Sequence, residues 1–138
     1  MKYRTALTCV LASALAACAS APLQPIVQDG VACSERRLDR LLFGMNSPSG
    51  PVDDTQWQRF LAEVVTPRFP DGLTVYRTQG QWRGESGETE REDSRVVEIV
   101  HGDEADGRKR IGEIAAEYKR RFRQEAVLVI STRAMTCL

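Results

Sequence analysis

Five residues form the densest group of polar and aromatic side chains in this 138-residue sequence. They are Arg68 and Asp71 in a turn, followed by Gln81, Trp82 and Arg83 at the end of a predicted strand. Two guanidinium groups can hold a carboxylate or phosphate through paired hydrogen bonds, and an indole offers a flat wall for a ring. The group therefore predicts a ligand-binding site.

The same five residues also have a purely structural interpretation. Asp71 would cap its turn, Arg68 would pair with a carboxylate such as Glu125, and Trp82 would pack on a sheet. Structural ion-pair networks also produce such clusters. The structural interpretation is therefore the favoured one.

Acid–base chemistry would need other residues. Tyr118 and Glu125 carry suitable groups, but Tyr118 lies on the apolar stripe of a predicted helix, a position typical of the core. His101, the only histidine, follows a predicted strand and has no evident partner in the sequence, so we interpret it as a turn residue. The sequence therefore predicts no catalytic residue.

Charged runs have ordinary explanations. Basic residues crowd the second predicted helix and could touch lipid phosphates, but Lys109 with Glu113 and Glu117 with Arg121 have the spacing of helix ion pairs. The acidic run near residues 85–93 lacks the alternating oxygen ligands and glycine of a calcium loop. We expect both runs to face solvent.

Composition limits the class of protein. The 42% apolar and 28% charged content fits one domain, and 19 basic residues balance 19 acidic ones. A net charge of zero supplies no field that would draw nucleic acid or another polyanion.

The hydrophobic pattern places these residues on four strands and two helices. An apolar run at 38–45 predicts the first strand, and helical spacing from Trp57 to Val65, ended by Pro67, predicts the first helix. Alternation at 73–78, continuing toward Trp82, and an apolar run at 95–100 predict a hairpin. A second helix begins after 102–103, and residues 126–130 predict the last strand.

The order β-α-β-β-α-β predicts an α+β domain of ferredoxin-like fold, with a four-stranded antiparallel sheet and two helices on one face. The first and last strands are apolar on both faces, which predicts a second layer. A second copy of the chain, joined through the sheet face, is the simplest cover. The alternative cover is the N-terminal segment or the C-terminus.

The N-terminus has the order of an export signal, with Lys2 and Arg4 before a short apolar run. That run ends at Leu15-Ala16-Ala17-Cys18, which resembles the lipobox of bacterial lipoproteins. The resemblance implies a signal peptide at 1–17, lipid attachment to Cys18, and an anchor in the cell envelope. A plain secretory signal cut near residue 17 or 21 is the alternative.

Two further features depend on that anchor. Ala19 is not aspartate, which resembles the outer-membrane sorting pattern of enterobacterial lipoproteins and implies a domain facing the periplasm. Residues 18–32 contain prolines and no helical period, so we expect a flexible tether before a domain at 33–138.

The folded part then keeps two cysteines, Cys33 and Cys137. An exported pair predicts a disulfide, although two buried free thiols are the alternative. In the predicted topology the first and last strands are neighbours, which would place both cysteines at one end of the sheet. Two thiols and a single histidine do not make a structural zinc site, and no other cofactor is predicted.

A family resemblance covers most of residues 38–130. It rests on VTPRFPDGLTV at 65–75 and GQWR at 80–83, with LFG at 42–44, YK at 118–119 and QE at 124–125. These motifs resemble an uncharacterised bacterial family, the domain of unknown function number 3574. The resemblance implies a small exported or lipid-anchored domain and no known activity.

Two functions follow as hypotheses. The first is a binding or interaction module that acts through the sheet or the region from Arg68 to Arg83. The second is a small enzyme of dimeric α/β-barrel type, with a pocket between sheet and helices lined by Tyr76, Trp82 and Tyr118. An enzyme requires a concave pocket with convergent polar groups, whereas a binding module can use a flat surface.

Overall fold

A computed structural model describes residues 26–28, 30–83, 87–102 and 104–138. Its elements are strand β1 (Ile26–Gln28), strand β2 (Val31–Gly44), helix α1 (Asp54–Phe60), strand β3 (Thr74–Arg83), strand β4 (Thr89–His101), helix α2 (Ala105–Phe122) and strand β5 (Leu128–Cys137). The predicted signal peptide and Cys18 lie outside the described residues. Within the described ranges, none of the helices is both long enough and apolar enough to cross a bilayer.

The sheet is antiparallel throughout. The four long strands lie in the order β5-β2-β4-β3, and β1 pairs with the first residues of β2. Counted along the chain, the four long strands therefore have the order 4-1-3-2 with two helices between them. This confirms the ferredoxin-like α+β prediction.

The strands are longer than their apolar cores. β2 begins at Val31 rather than residue 38, β4 begins at Thr89 rather than residue 95, and β5 continues to Cys137 rather than ending at residue 130. Backbone ladders form equally well when the side chains are polar and face water. Within the segment predicted as a tether, Ile26–Gln28 forms strand β1 and pairs with residues 31–33.

Helix α1 follows its sequence signals closely. Asp53 accepts from the backbone N–H of Gln56 at 2.8 Å while the Gln56 side chain accepts from the N–H of Asp53, forming a capping box. The helix then widens into a π-type turn over Leu61–Val65, where the N–H of Thr66 bonds to the carbonyl of Leu61. The wider turn allows the adjacent residues Val64 and Val65 both to face the core.

The core lies between the helices and one face of the sheet. Five aromatic rings meet there with centroids 4.6–6.2 Å apart, in mostly edge-to-face contacts, and they are Phe43, Trp57, Phe60, Tyr118 and Phe122. Leu41, Val97 and Ile99 close the sheet side of this layer. The space between helices and sheet is therefore filled by side chains.

A disulfide joins Cys33 to Cys137 across β2 and β5, which confirms the predicted bridge. The two residues are direct partners in the ladder, and Cys33 is buried while Cys137 is exposed. The bond therefore ties the last strand to the start of the first long one.

The start of α1 provides a pH-sensitive link to the sheet. Asp54 accepts hydrogen bonds from Arg95 on β4 and Arg77 on β3, each at 2.9 Å. The Arg95 bond, followed by the Arg77 bond and charge, holds the pKa of Asp54 below its ordinary value of 3.8. A carboxyl with a lowered pKa in the folded state stabilises the fold above its unfolded pKa, and this contribution is lost as pH falls through the folded value.

We therefore expect the stability difference between the parent chain and Asp54→Asn to shrink as pH falls from neutrality to below 3.8. Urea denaturation at a series of pH values measures it. Asp71→Asn makes the same change in an exposed turn and serves as the control. A difference that stays constant down to the lowest pH would contradict the proposed link.

Candidate functional site

The sheet face opposite the helices is open over the described residues. Across its middle runs an apolar row from Leu128 on β5 through Leu42 and Val96 to Tyr76 on β3. The side chains at the two ends of this row are 57% and 46% exposed. No second layer covers this face within the described part of the chain, so the predicted cover by a second copy stays a prediction.

A pocket of about 450 Å³ lies at one end of this face. We call it the hairpin pocket, because the β3–β4 hairpin forms one wall and the loops after β2 and α2 form the other. Its lining residues are Leu42, Gly44, Asn46, Ser47, Pro48, Gly80, Gln81, Trp82, Glu90, Glu92, Ser94, Arg123, Gln124, Glu125, Ala126 and Leu128. This volume falls within the range of small-molecule sites.

Two strand glycines make the floor of the hairpin pocket. A β-carbon at Gly44 would lie 2.5 Å from Glu92 Oε1, and one at Gly80 would lie 2.8 Å from Ser94 Oγ. Any larger residue would therefore push the Glu92 carboxylate or the Ser94 hydroxyl out of its place. The glycines allow both polar groups to lie across the sheet beneath the pocket.

Hydrogen bonds hold the rim of the hairpin pocket in place. The backbone N–H of Asn46 donates to Glu92 Oε2 at 3.2 Å, and the side-chain amide of Gln124 donates to the Asn46 carbonyl. Beneath them, Tyr118 donates its hydroxyl to the Gly44 carbonyl at 2.7 Å. The pocket wall is thus bonded to both the sheet and α2 before any ligand arrives.

The charge of the hairpin pocket is negative. Three carboxylates, those of Glu90, Glu92 and Glu125, line it against the single guanidinium of Arg123. Trp82, at 38% exposure, adds an indole to the wall opposite Leu42 and Leu128. The combination suits a ligand with a flat ring and a positive charge.

The five residues of the predicted ligand-binding group do not converge. Arg68 and Asp71 precede β3, whereas Gln81, Trp82 and Arg83 end it, about 25 Å further along the extended strand. Of the five, Gln81 and Trp82 line the hairpin pocket. One small anion cannot therefore be held by Arg68 and Arg83 together.

Arg68 instead has the structural role anticipated for it, with a different partner. Its Nε donates to Glu113 Oε2 on α2 at 3.2 Å and its Nη1 donates to the Val64 carbonyl at 2.8 Å. The predicted partner Glu125 lies in the wall of the hairpin pocket. Arg68 therefore fastens the end of the first helical segment to α2.

The prediction of a pocket between sheet and helices, lined by Tyr76, Trp82 and Tyr118, is wrong. Tyr118 lies in the filled aromatic core, while Tyr76 and Trp82 lie on the opposite face of the sheet. Burial, followed by the charge of Glu92, raises the pKa of Tyr118. The hydroxyl is therefore a fixed donor to Gly44, not a proton carrier paired with Glu125.

A buried polar network was missed at the sequence level. Asp39 on β2, only 1% exposed, accepts from Ser131 on β5 and contacts His101 Nε2 on β4 at 2.7 Å. The other ring nitrogen of His101 faces the Gly102 carbonyl at 2.5 Å, and a β-carbon at Gly107 would meet that ring. The network joins three strands and is bonded internally, so His101 is a buried structural residue, not a turn residue.

The helix pairs expected on α2 are present. Lys109 lies 3.9 Å from Glu113, and Glu117 lies 3.4 Å from Arg121. Glu117 also accepts two bonds from Arg120, and that contact is the main cause of the lowered pKa of Glu117. Among the described residues, no group of three histidine, cysteine or acidic side chains could hold a metal ion.

The family model described as Protein of unknown function (DUF3574) matches residues 38–138. The chain belongs to that family. The match runs from the middle of β2 to residue 138, and it includes the aromatic core, the hairpin pocket and Cys137. DUF3574 carries no assigned activity, so the site must be interpreted from its own geometry. Among curated proteins, none matches the sequence of this chain.

Solved structures with the same fold include a phage SAM lyase. Its complex with S-methyl-5′-thioadenosine is 16% identical, with a TM-score of 0.59, over 75% of this chain and 88% of that chain. The same lyase in the apo state is 14% identical, with a TM-score of 0.52, over 75% of this chain and 89% of that chain. At this identity the likeness shows the shared fold alone.

Proposed function

We propose that this DUF3574 domain is a binding module of the cell envelope, anchored by lipid at Cys18, with the hairpin pocket as its ligand site. The ligand class is a small molecule with a flat ring and a cationic group. The observation that carries the proposal is the joint presence of Trp82 and the three carboxylates around a preformed hollow in the sheet.

The ring preference rests on shape and the charge preference on electrostatics. Trp82, Leu42 and Leu128 offer apolar surface to a flat group, and aromatic contacts add about 0.5–1.5 kcal/mol beyond the area that they bury. Glu90 and Glu125 carry no hydrogen bond or ion pair to a described residue, so their charges are available to a cation.

The anchor and the location rest on residues before the described part of the chain. The lipobox-like run Leu15–Cys18 supports lipid attachment, and Ala19 supports the outer membrane facing the periplasm. The disulfide between Cys33 and Cys137 is consistent with an oxidising compartment. A homodimer through the open face remains part of the proposal, with β5 and β2 supplying the apolar row.

Two probes that share the indole ring system but carry opposite charges test the site. We expect tryptamine to bind and indole-3-acetate to bind at least about tenfold more weakly, because their indoles are alike and only the charge differs. Isothermal titration calorimetry on the full chain measures both affinities. S-methyl-5′-thioadenosine, present in the lyase structure of the same fold, serves as a neutral ring probe.

Variants of the lining residues separate the preference for a ring from the preference for a positive charge. Trp82→Ala should weaken all three probes by about tenfold, since each loses its aromatic wall. Glu90→Gln with Glu125→Gln, which removes the two unpaired carboxylates and leaves the rim bond of Glu92 in place, should remove the preference for tryptamine over indole-3-acetate. Tyr76→Ala, an exposed aromatic on the same face but outside the lining, is the matched control and should leave all affinities unchanged.

The proposal fails under two outcomes. If tryptamine gives no saturable binding at millimolar concentration, the hollow is not a site for this ligand class. If Tyr76→Ala weakens binding as much as Trp82→Ala does, the ligand adheres to the apolar face instead of entering the hairpin pocket.

A further inference from the structure

A second pocket lies on the helix side of the loop after β2 and has the opposite charge. Its volume is about 550 Å³, and three guanidinium groups, those of Arg59, Arg121 and Arg123, line it against the single carboxylate of Glu63. We call it the arginine pocket. Ser47 and Ser49 from the loop after β2 complete its polar wall.

Most described arginines outside this pocket have a carboxylate partner. Seven of them contact a carboxylate at 2.6–3.2 Å, and these are Arg40, Arg68, Arg77, Arg95, Arg110, Arg120 and Arg133. Arg59 and Arg123 have no hydrogen bond or ion pair from their side chains to a described residue. Two guanidiniums without an ion-pair contact to a described residue therefore line the same pocket, and one of them, Arg123, also lines the hairpin pocket.

The backbone of Arg123 adds a second, independent observation. It ends α2 in the left-handed conformation, with φ 52° and ψ 41°. A side chain beyond glycine is disfavoured there, and glycine is the common residue at this place in a helix. The chain thus carries an arginine where a glycine would suit the backbone better, and that arginine faces the pocket.

Arg121 is held in place by contacts on both sides of the arginine pocket. Its guanidinium bonds to Glu63 at 2.8 Å and lies 3.4 Å from Glu117. Its plane also lies 5.8 Å from the ring centre of Phe60. Arg121 is therefore fixed between α1 and α2, and it leaves Arg59 and Arg123 as the groups able to turn toward a ligand.

From these observations we propose that the arginine pocket binds a phosphate monoester. Three guanidiniums against one carboxylate leave two positive charges, which a phosphate monoester balances at neutral pH. Planar guanidiniums bind phosphate oxygens through paired hydrogen bonds. The volume exceeds that of a single small anion, so the organic part of the ester also fits.

The phosphate could belong to a soluble metabolite or to a phospholipid headgroup, and the experiment separates the two. Glycerol 3-phosphate is the soluble probe, measured by calorimetry. Vesicles of phosphatidylcholine with and without phosphatidic acid, the phospholipid whose phosphate is a monoester, are the lipid probe, measured by co-sedimentation. An acyl chain at Cys18 contributes equally to both vesicle types, so their difference reports on the headgroup.

Arg59→Gln with Arg123→Gln should weaken the probe that binds by at least about tenfold, because two charge-assisted contacts are lost. Lys109→Gln with Lys119→Gln removes the same charge from exposed positions of α2 and should change the affinity by less than about twofold. Arg59 lines only this pocket, so Arg59→Gln alone should weaken the phosphate probe and leave tryptamine binding intact.

Arg123→Gly gives a separate check on folding. It should lose phosphate affinity while its denaturation midpoint stays level or rises, because the backbone strain is relieved. Binding of glycerol 3-phosphate supports a soluble ester, and a preference for phosphatidic acid that depends on Arg59 supports a headgroup. Failure of both probes, or equal loss in the lysine control, overturns the proposal.

Discussion

Asp39→Val is expected to lower the free energy of unfolding by about 3–5 kcal/mol. Asp39 is fully buried and bonds to His101 and Ser131, and it connects β2 with both of its neighbours. Without it, His101 keeps a buried ring nitrogen that faces no acceptor. Urea denaturation followed by circular dichroism measures the loss.

A double-mutant cycle distinguishes the lost pair from a simple packing defect. His101→Leu alone should also destabilise the fold, because Asp39 then loses its strongest partner. The double variant Asp39→Val with His101→Leu should cost at least about 2 kcal/mol less than the sum of the single variants, since neither the buried carboxylate nor the buried imidazole is then left without the other. Additive losses would show that Asp39 and His101 are not energetically coupled.

Reduction of the Cys33–Cys137 disulfide should destabilise the protein by about 3–5 kcal/mol. The bond joins residues 104 positions apart, and constraint of the unfolded chain grows with the length of the closed loop. Guanidinium denaturation with and without a non-thiol reductant measures the change, and mass spectrometry verifies the gain of two hydrogens.

The cysteine experiment has an internal control. Cys33→Ser with Cys137→Ser should be as unstable as the reduced parent and should not respond to reductant. Any response that remains would come from the other cysteines of the chain. A midpoint that is the same in oxidised and reduced parent protein would show that the β2–β5 ladder alone holds the C-terminal strand.

The architecture was predictable because burial sets the spacing of apolar residues. Trp57, Phe60, Val64 and Val65 lie at helical spacing and all reach the core. The cysteine pair and the β-α-β-β-α-β order support each other, because this order places both cysteines at one end of the sheet. Element types therefore followed from periodicity alone.

Strand ends were not predictable in the same way. Residues 89–94 and 131–137 are mostly polar, so their composition is typical of loops, yet they pair along the full hairpin and along β2. Backbone hydrogen bonds hold them, and these leave no apolar pattern to detect. The hairpin pocket escaped prediction for this reason, because one of its walls includes Glu90, Glu92 and Ser94 from the extended end of β4.

Asp39 did leave a signal. It lies at every second position with Leu41 and Phe43 along β2, so the alternation of a strand places its side chain on the core face. A carboxylate at a core position implies a buried partner, and the lone histidine was the natural candidate. By contrast, the pairing of Arg68 with Glu113 instead of Glu125 depends on how α2 packs, which no local pattern encodes.

Mechanical load would enter this domain at its first strands. Tension on the segment before Ile26 reaches β1 and then β2, and the first covalent cross-link that it meets is at Cys33. There the force divides between two adjacent strands, so separation of β2 from β5 cannot start at that end by breaking hydrogen bonds one after another. An oxidised domain should consequently resist pulling from its N-terminal side far better than a reduced one.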